Sequence, residues 1–364
     1  MLNGYLGFIF NNQVLLIVLS FFGALIISVI AIPTIIAVAR AKRLFDTPNG
    51  RTSHLVKTPT LGGLSIFAGF LISSLVFLNI KQIPDIQYII AGSLIIFFIG
   101  LKDDISAISP FKKLIGQIVA ALIVIELGNI RFTSLYGFLG VYEIDYFTSV
   151  LLTLFVLIVI INSFNLIDGI DGLASGIGIV TSATFGIWFY LVGEYQLTII
   201  AASLVGALIA FFVFNVFGRK NKIFMGDIGS LLLGFITAIF VIKFNELNAN
   251  PGNPYFIHSS PAVSIGILII PLFDTLRVFV IRLIHKHSPF KADRGHVHHR
   301  ILTLTNSHFK STLIFMLVNM GFIVLVFLLQ NMGIYKLTLI MLIMAIVLSY
   351  LPVLLLKMKK KQNN

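Results

Sequence analysis

The sequence contains no cysteine, and only 11% of its 364 residues are charged. The first absence excludes disulfides, thiolate chemistry and cysteine-ligated metals. The second excludes a soluble globular domain, because a chain that is 58% hydrophobic with a mean hydropathy of +1.01 lies far outside the range of such domains. Lys and Arg are missing before Arg40. The start therefore lacks the charged head of a secretory signal peptide, and the first apolar run is expected to stay in the mature protein. Acidic residues are scarce, 14 in all, so where they fall carries weight.

What the sequence has is apolar length. A spanning helix needs about 20 mostly apolar residues, and about eleven such runs can be marked off. They lie roughly at 13–38, 61–80, 87–101, 114–129, 147–164, 174–192, 196–217, 229–245, 261–284, 312–330 and 336–356. The expected fold is an all-α polytopic membrane protein of about eleven transmembrane helices. It forms a single integral domain over 1–364, since no soluble domain fits between the runs. An odd number of spans puts the two ends on opposite sides. Of the 26 basic residues, all but Lys81, Arg131, Lys243 and Lys336 fall on the side of the C-terminus. The positive-inside rule makes that side cytoplasmic and the N-terminus external. The net charge of +12 sits in short loops beside apolar runs, which favours anionic headgroups and anionic substrates over nucleic acid as partners.

The acids divide by type. All four Glu (Glu126, Glu143, Glu194, Glu246) fall outside with Asp85 and Asp145, whereas Asp46, Asp103, Asp104, Asp168, Asp171, Asp227, Asp274 and Asp293 fall inside, with every His except His258. Loops are where polar residues can live in a membrane protein, but acids avoid a basic surface unless they bind something. Short Asp side chains suit a rigid site that holds a cation or a proton. The expected site is built from cytoplasmic loops near 40–60, 102–113, 165–173, 218–228 and 285–311.

Five stretches carry it. LGGLSIF (61–67) has paired Gly, which permits close approach of backbone or ligand, or a helix–helix contact. GLKDDISAISPFKKLIGQ (100–117) sets Asp103 beside Asp104, a pair that needs a cation or a shared proton unless Lys102 and Lys112 simply neutralise it in solvent. In NSFNLIDGIDG (162–172), Asn162, Asn165 and Asp168 recur at helical spacing and Asp171 extends the series, as a ladder of oxygen ligands or as helix caps. IFMGDIGSLLLG (223–234) places Asp227 between glycines at a helix start, a location suited to phosphate or to a metal carrying phosphate, with capping by Asp227 or Ser230 as the plainer role. HKHSPFKADRGHVHHRIL (285–302) gathers Arg294, His296, His298, His299 and Arg300. Zinc is the lesser reading there, because the arginines oppose a cation, and phosphate recognition is preferred.

In this order these stretches resemble the polyprenyl-phosphate N-acetylhexosamine-1-phosphate transferases, the family of WecA, TagO and MraY, over about residues 40–305. HVHH is similar to the WecA and TagO branch; the MraY branch usually has three consecutive His, which makes UDP-N-acetylglucosamine the expected donor over a muramoyl-pentapeptide. The resemblance implies Asp103 and Asp104 beside the lipid acceptor, Asp103 being the favoured base, and Asp168 and Asp171 with Asn162 along the nucleotide and diphosphate site. It implies Asn165 and Asp227 as ligands of Mg2+, for which Mn2+ could substitute, Lys113 as a phosphate contact, and Arg294, His296, His298 and His299 as the motif that holds the donor phosphates. The implied partners are a UDP-N-acetylhexosamine, polyprenyl (undecaprenyl) phosphate and the membrane, without nucleic acid; a homodimer is compatible with the sequence.

The implied reaction exchanges one phosphoanhydride for another, so the catalyst's task is to align two anions and offset their repulsion. A lipid phosphate with a second pKa of about 6 is mostly dianionic at neutral pH, so a general base is not required. A secondary transporter would instead place its ionisable groups near the bilayer midplane, a lipid-linked sugar translocase needs no Asp series, and a membrane phosphatase working through a phosphohistidine would release inorganic phosphate.

Overall fold

The computed structural model describes residues 12–46, 58–138, 140–249, 252–285 and 296–362. Residues 47–57 and 286–295, the latter holding Asp293 and Arg294, lie outside the described residues. All eleven apolar runs are helical. Among the described residues, eight helices are long and apolar enough to cross a membrane: α1 (Gln13–Ala41), α3 (Ile86–Ile105), α5 (Tyr146–Ile167), α6 (Leu173–Leu191), α7 (Tyr195–Phe217), α8 (Gly226–Leu247), α12 (His308–Leu328) and α13 (Ile334–Gln362). The other three runs form shorter or broken helices. They are α2 (Gly63–Phe77), α4 (Pro110–Leu122) continued by a π-helical turn at Ile123–Leu127, and the pair α9 (Ser260–Ile267) and α10 (Ile269–Ile284). A last short helix, α11 (Val297–Thr305), carries the histidines.

The break in the expected run at 261–284 has a local cause. Pro271 has no N–H to return to the carbonyl four residues earlier. That carbonyl, on Ile267, accepts from Asn319 Nδ2 of α12 at 3.2 Å instead, as a backbone group in an apolar interior must find some partner.

α8 is the axis of the bundle. Within its most apolar stretch 89% of residues are buried, and it packs against α2, α3, α5 and α6. Its start is clamped rather than merely packed. The N–H groups of Gly62 and Gly63 donate to the carbonyls of Phe224 and Met225 at 2.9 and 2.8 Å, so the paired glycines of LGG are a backbone-to-backbone dock. A Cβ on Gly63 would stand 2.2 Å from the Gly229 nitrogen. At the far end of α8, Glu246 accepts from Thr133 N (2.9 Å), Thr133 Oγ1 (2.8 Å) and Tyr136 Oη (2.7 Å). This holds the hairpin of β1 (Ser134–Phe138) and β2 (Val141–Glu143) over that end. Burial and the Glu246 charge push the Tyr136 phenol far above its ordinary range. An ion pair, Lys243 with Asp85, joins α8 to the start of α3.

Candidate active site

The expected oxygen ladder does not survive as a ladder. α5 ends at Ile167, Asp168 is its C-cap at φ −74° and ψ 40°, and Gly172 opens α6 in the left-handed region at φ 79°. The four polar side chains therefore leave in different directions. Asn162 pairs with Gln117 of α4: its Nδ2 donates to Gln117 Oε1 at 2.8 Å and its Oδ1 accepts from Gln117 Nε2 at 3.4 Å. That contact is between two helices, one turn below the site.

Asn165 reaches α8. Its Nδ2 donates to Asp227 Oδ1 (2.8 Å) and Ser230 Oγ (2.9 Å), while its Oδ1 accepts from Lys113 Nζ at 3.4 Å. The same ammonium donates to Asp103 Oδ2 at 3.3 Å and to Asp227 Oδ2. Of the adjacent pair, Asp103 is thus the one that takes a cation, and the cation is Lys113 in place of Lys102 or Lys112. Its side chain is 14% exposed, and those of Asp103 and Asp227 are 18% and 23% exposed. Three oxygens, from two carboxylates and one amide, surround a single positive charge. That is the donor set of a hard divalent cation such as Mg2+, and the lysine marks where charge of that sign is wanted.

Asp104, one residue on, does a different job. Its Oδ1 accepts from Asp227 N at 2.8 Å and its Oδ2 from Ile228 N at 3.2 Å. These are orphan donors of the first turn of α8, so the cap comes from α3; neither Asp227 nor Ser230 caps the helix. Gly226 completes the fit: it sits at φ +69°, and a Cβ there would stand 2.5 Å from Asp104 Oδ2. Asp103 Oδ1 accepts from Ile108 N at 2.7 Å, which folds back the loop between α3 and α4.

Asp168 makes no hydrogen bond among the described residues. Withdrawal from water, then the carboxylates of Asp227, Asp171 and Asp104, raise it well above the usual carboxylate range. Asp171 is not a side-chain cap for α6 either. Its Oδ2 accepts from Lys222 Nζ at 2.6 Å and lies 3.4 Å from His308 Nδ1, while its backbone N–H donates to that same ring atom at 3.1 Å.

The histidine motif docks on a residue that local spacing did not single out. His296 Nδ1 and His298 Nδ1 lie 3.1 and 2.8 Å from Asp274 Oδ2, and Val297 N donates to Asp274 Oδ1 at 2.7 Å. The three potential ligand atoms lie within 4.8 Å of one another, close enough to hold a metal ion. His299 stacks obliquely on His298, with centroids 4.4 Å apart. His298 Nε2 faces Gly169, where a Cβ would stand 2.6 Å from it. The loop 168–171 thus lies between the Asp227 cluster and the histidines. Asp274, Lys222, His308 and Gln117 are the residues that motif reading missed. Only Asp274 left a signal, as a lone acid inside the apolar run PLFDTLRVFVI.

Carboxylates, amides, a lysine and imidazoles from α3, α4, α5, α8, α10 and α11 converge at one end of a helical bundle. They define a multi-pass membrane protein with a site suited to a cation and to phosphate. Residues 86–245 match the profile of glycosyl transferase family 4. The chain is 33% identical over 280 residues to an undecaprenyl-phosphate alpha-N-acetylglucosaminyl 1-phosphate transferase of Yersinia pestis, a match covering 76% of this chain and 73% of that protein. It is 32% identical over 292 residues to the enzyme of the same name from Escherichia coli strain K12, covering 78% and 75%. A decaprenyl-phosphate N-acetylglucosaminephosphotransferase of Mycolicibacterium smegmatis is 32% identical over 300 residues, covering 74% and 71%. The chain belongs to this family of polyprenyl-phosphate N-acetylhexosamine-1-phosphate transferases and is a membrane enzyme of the transferase class.

Proposed function

We propose that the protein transfers N-acetylglucosamine 1-phosphate from UDP-N-acetylglucosamine to undecaprenyl phosphate, giving the lipid diphospho-sugar and UMP. A lipid phosphate oxygen attacks the sugar-proximal phosphorus of the donor, the bond from that phosphorus to the bridging oxygen breaks, and UMP leaves with that oxygen. The reading is carried by one observation, the oxygen triad of Asp103, Asn165 and Asp227 around Lys113, beside a histidine cluster in a chain of this family. Asn165 and Asp227 would hold Mg2+, which when bound supplies Lewis-acid polarisation of the donor diphosphate.

The chain's own groups do the remaining work. Lys113 offsets charge on the reacting phosphates, and Asp103 orients that ammonium rather than removing a proton. Asp168, raised and without a hydrogen bond among the described residues, is the acid placed to meet substrate. His296, His298 and His299 take the donor phosphates with Arg294. Asp104 and Asn162 support the site from behind through the start of α8 and the α4–α5 contact. Eleven spans, an external N-terminus and a site on the cytoplasmic face of the cell membrane complete the reading; it rests on the basic loops.

The test is direct. Membranes supplied with undecaprenyl phosphate, Mg2+ and one labelled UDP-sugar at a time should form lipid-extractable label and UMP with UDP-N-acetylglucosamine. Absence of lipid label with every UDP-N-acetylhexosamine would refute the assignment, and release of inorganic phosphate in place of UMP would favour the phosphatase reading.

A further inference from the structure

Asp274 is a charged side chain that the proposed reaction leaves unused. It sits within α10 and is only 4% exposed. It also lines a cavity of about 360 Å3 whose other walls, from α10 to α13, are almost wholly apolar. A carboxylate in such surroundings is costly unless its lone pairs are met. Three groups meet them: Val297 N on Oδ1, and the Nδ1 atoms of His296 and His298 on Oδ2. A protonated carboxyl could give its hydrogen to one ring at most, whereas an ionised carboxylate accepts from all three. Donation from Nδ1 leaves Nε2 as the unprotonated atom of each neutral ring. The rings are stacked, with centroids 5.1 Å apart and planes at 25°, and His298 Nε2 faces Gly169 in the loop 168–171.

We propose that Asp274 is a positioning residue that locks His296 and His298 in the Nδ1–H form and so reserves both Nε2 atoms for the diphosphate of the nucleotide-sugar donor. The inference rests on the proposed function for its second half only. A ring whose Nδ1–H is held by a carboxylate is fixed in tautomer and orientation, and so presents its far nitrogen in one direction. When that side takes a proton it becomes a charge-assisted donor to phosphate oxygen, and Asp274 balances the imidazolium that results.

The experiment uses the full chain in detergent with 15N-labelled histidine. Long-range 1H–15N spectra distinguish Nδ1–H from Nε2–H rings, and His296→Gln and His298→Gln variants assign the two signals. The wild-type protein is expected to show both rings as Nδ1–H, and Asp274→Ala to release them. Asp274→Asn should raise the KM for the UDP-sugar roughly tenfold and leave the KM for the lipid phosphate unchanged, and His298→Ala added to it should cost little more. Nε2–H rings in the wild-type spectrum overturn the proposal, and that spectrum decides even if the variants fail to fold. A stoichiometric transition metal bound to the wild type and absent from Asp274→Ala also overturns it, in favour of a metal site. Tautomers that behave as expected while the donor KM stays constant would leave Asp274 as an anchor of the rings and refute instead the assignment of the histidines to the donor.

Discussion

At the scale of single residues, the site works by dividing similar groups into different tasks. Asp103 and Asp104 are adjacent in sequence, yet one holds an ammonium and the other holds the backbone of a helix. Successive helical residues point about 100° apart, so they cannot share a partner. With both oxygens engaged, by Ile108 N and by Lys113, Asp103 is placed to orient. Asp103→Asn is expected to lower turnover by the same factor at about pH 6 and about pH 8, where the acceptor phosphate itself changes charge; recovery at the higher pH would restore a base role. Asp227 contacts Lys113 and Asn165 while its own N–H is held by Asp104. Asp227→Ala should abolish transfer and its Mg2+ dependence with normal expression, read by lipid-extractable label against metal concentration. Gly169→Ala would drive a methyl into His298 Nε2. Its expected signature is a donor KM raised by about tenfold with an unchanged KM for lipid phosphate.

At the scale of elements, the start of α8 is the piece on which the others converge. Asp104 satisfies two of its first amides from α3, and Gly62 and Gly63 bind the carbonyls just before it. Asp104→Ala leaves those amides without their acceptor and should destabilise the protein by about 1–3 kcal/mol. Hydrogen exchange is expected to rise at residues 227 and 228, and protection as strong as in the wild type would count against the cap. Gly63→Ala is expected to be worse for folding than for chemistry, since the clash is with backbone that cannot turn aside; the readout is yield of folded protein in detergent. The helices themselves were legible in the sequence because their apolar runs are long, and the break at Pro271 was not, because a proline inside a run reads the same whether the helix bends or stops.

At the scale of the whole molecule, polarity is sorted to the two ends of the bundle. Asp103, Asp104 and Asp227 lie at one end of α3 and α8, and Asp85, Lys243 and Glu246 toward the other. The absence of cysteine makes the orientation easy to test. A single cysteine placed at Lys220 should react with an impermeant maleimide only after the membrane is opened, and one at Tyr142 should react from outside intact cells. The opposite pattern would invert the topology and put the site on the wrong side for a nucleotide donor.

Hydropathy, charge asymmetry and short motifs are properties of neighbouring residues. For that reason the sequence by itself determined the solvent of this protein, the positions of its helices and the kind of chemistry its polar stretches suit. Which side chain meets which was decided only in three dimensions: Asn162 goes to Gln117, Asp171 to Lys222 and His308, and Asp274 to two histidines across a segment of 22 to 24 residues. Those pairings depend on how each helix is rotated about its axis. Helices such as α5 and α8, apolar on every side, carry no stripe in their sequence to record that rotation.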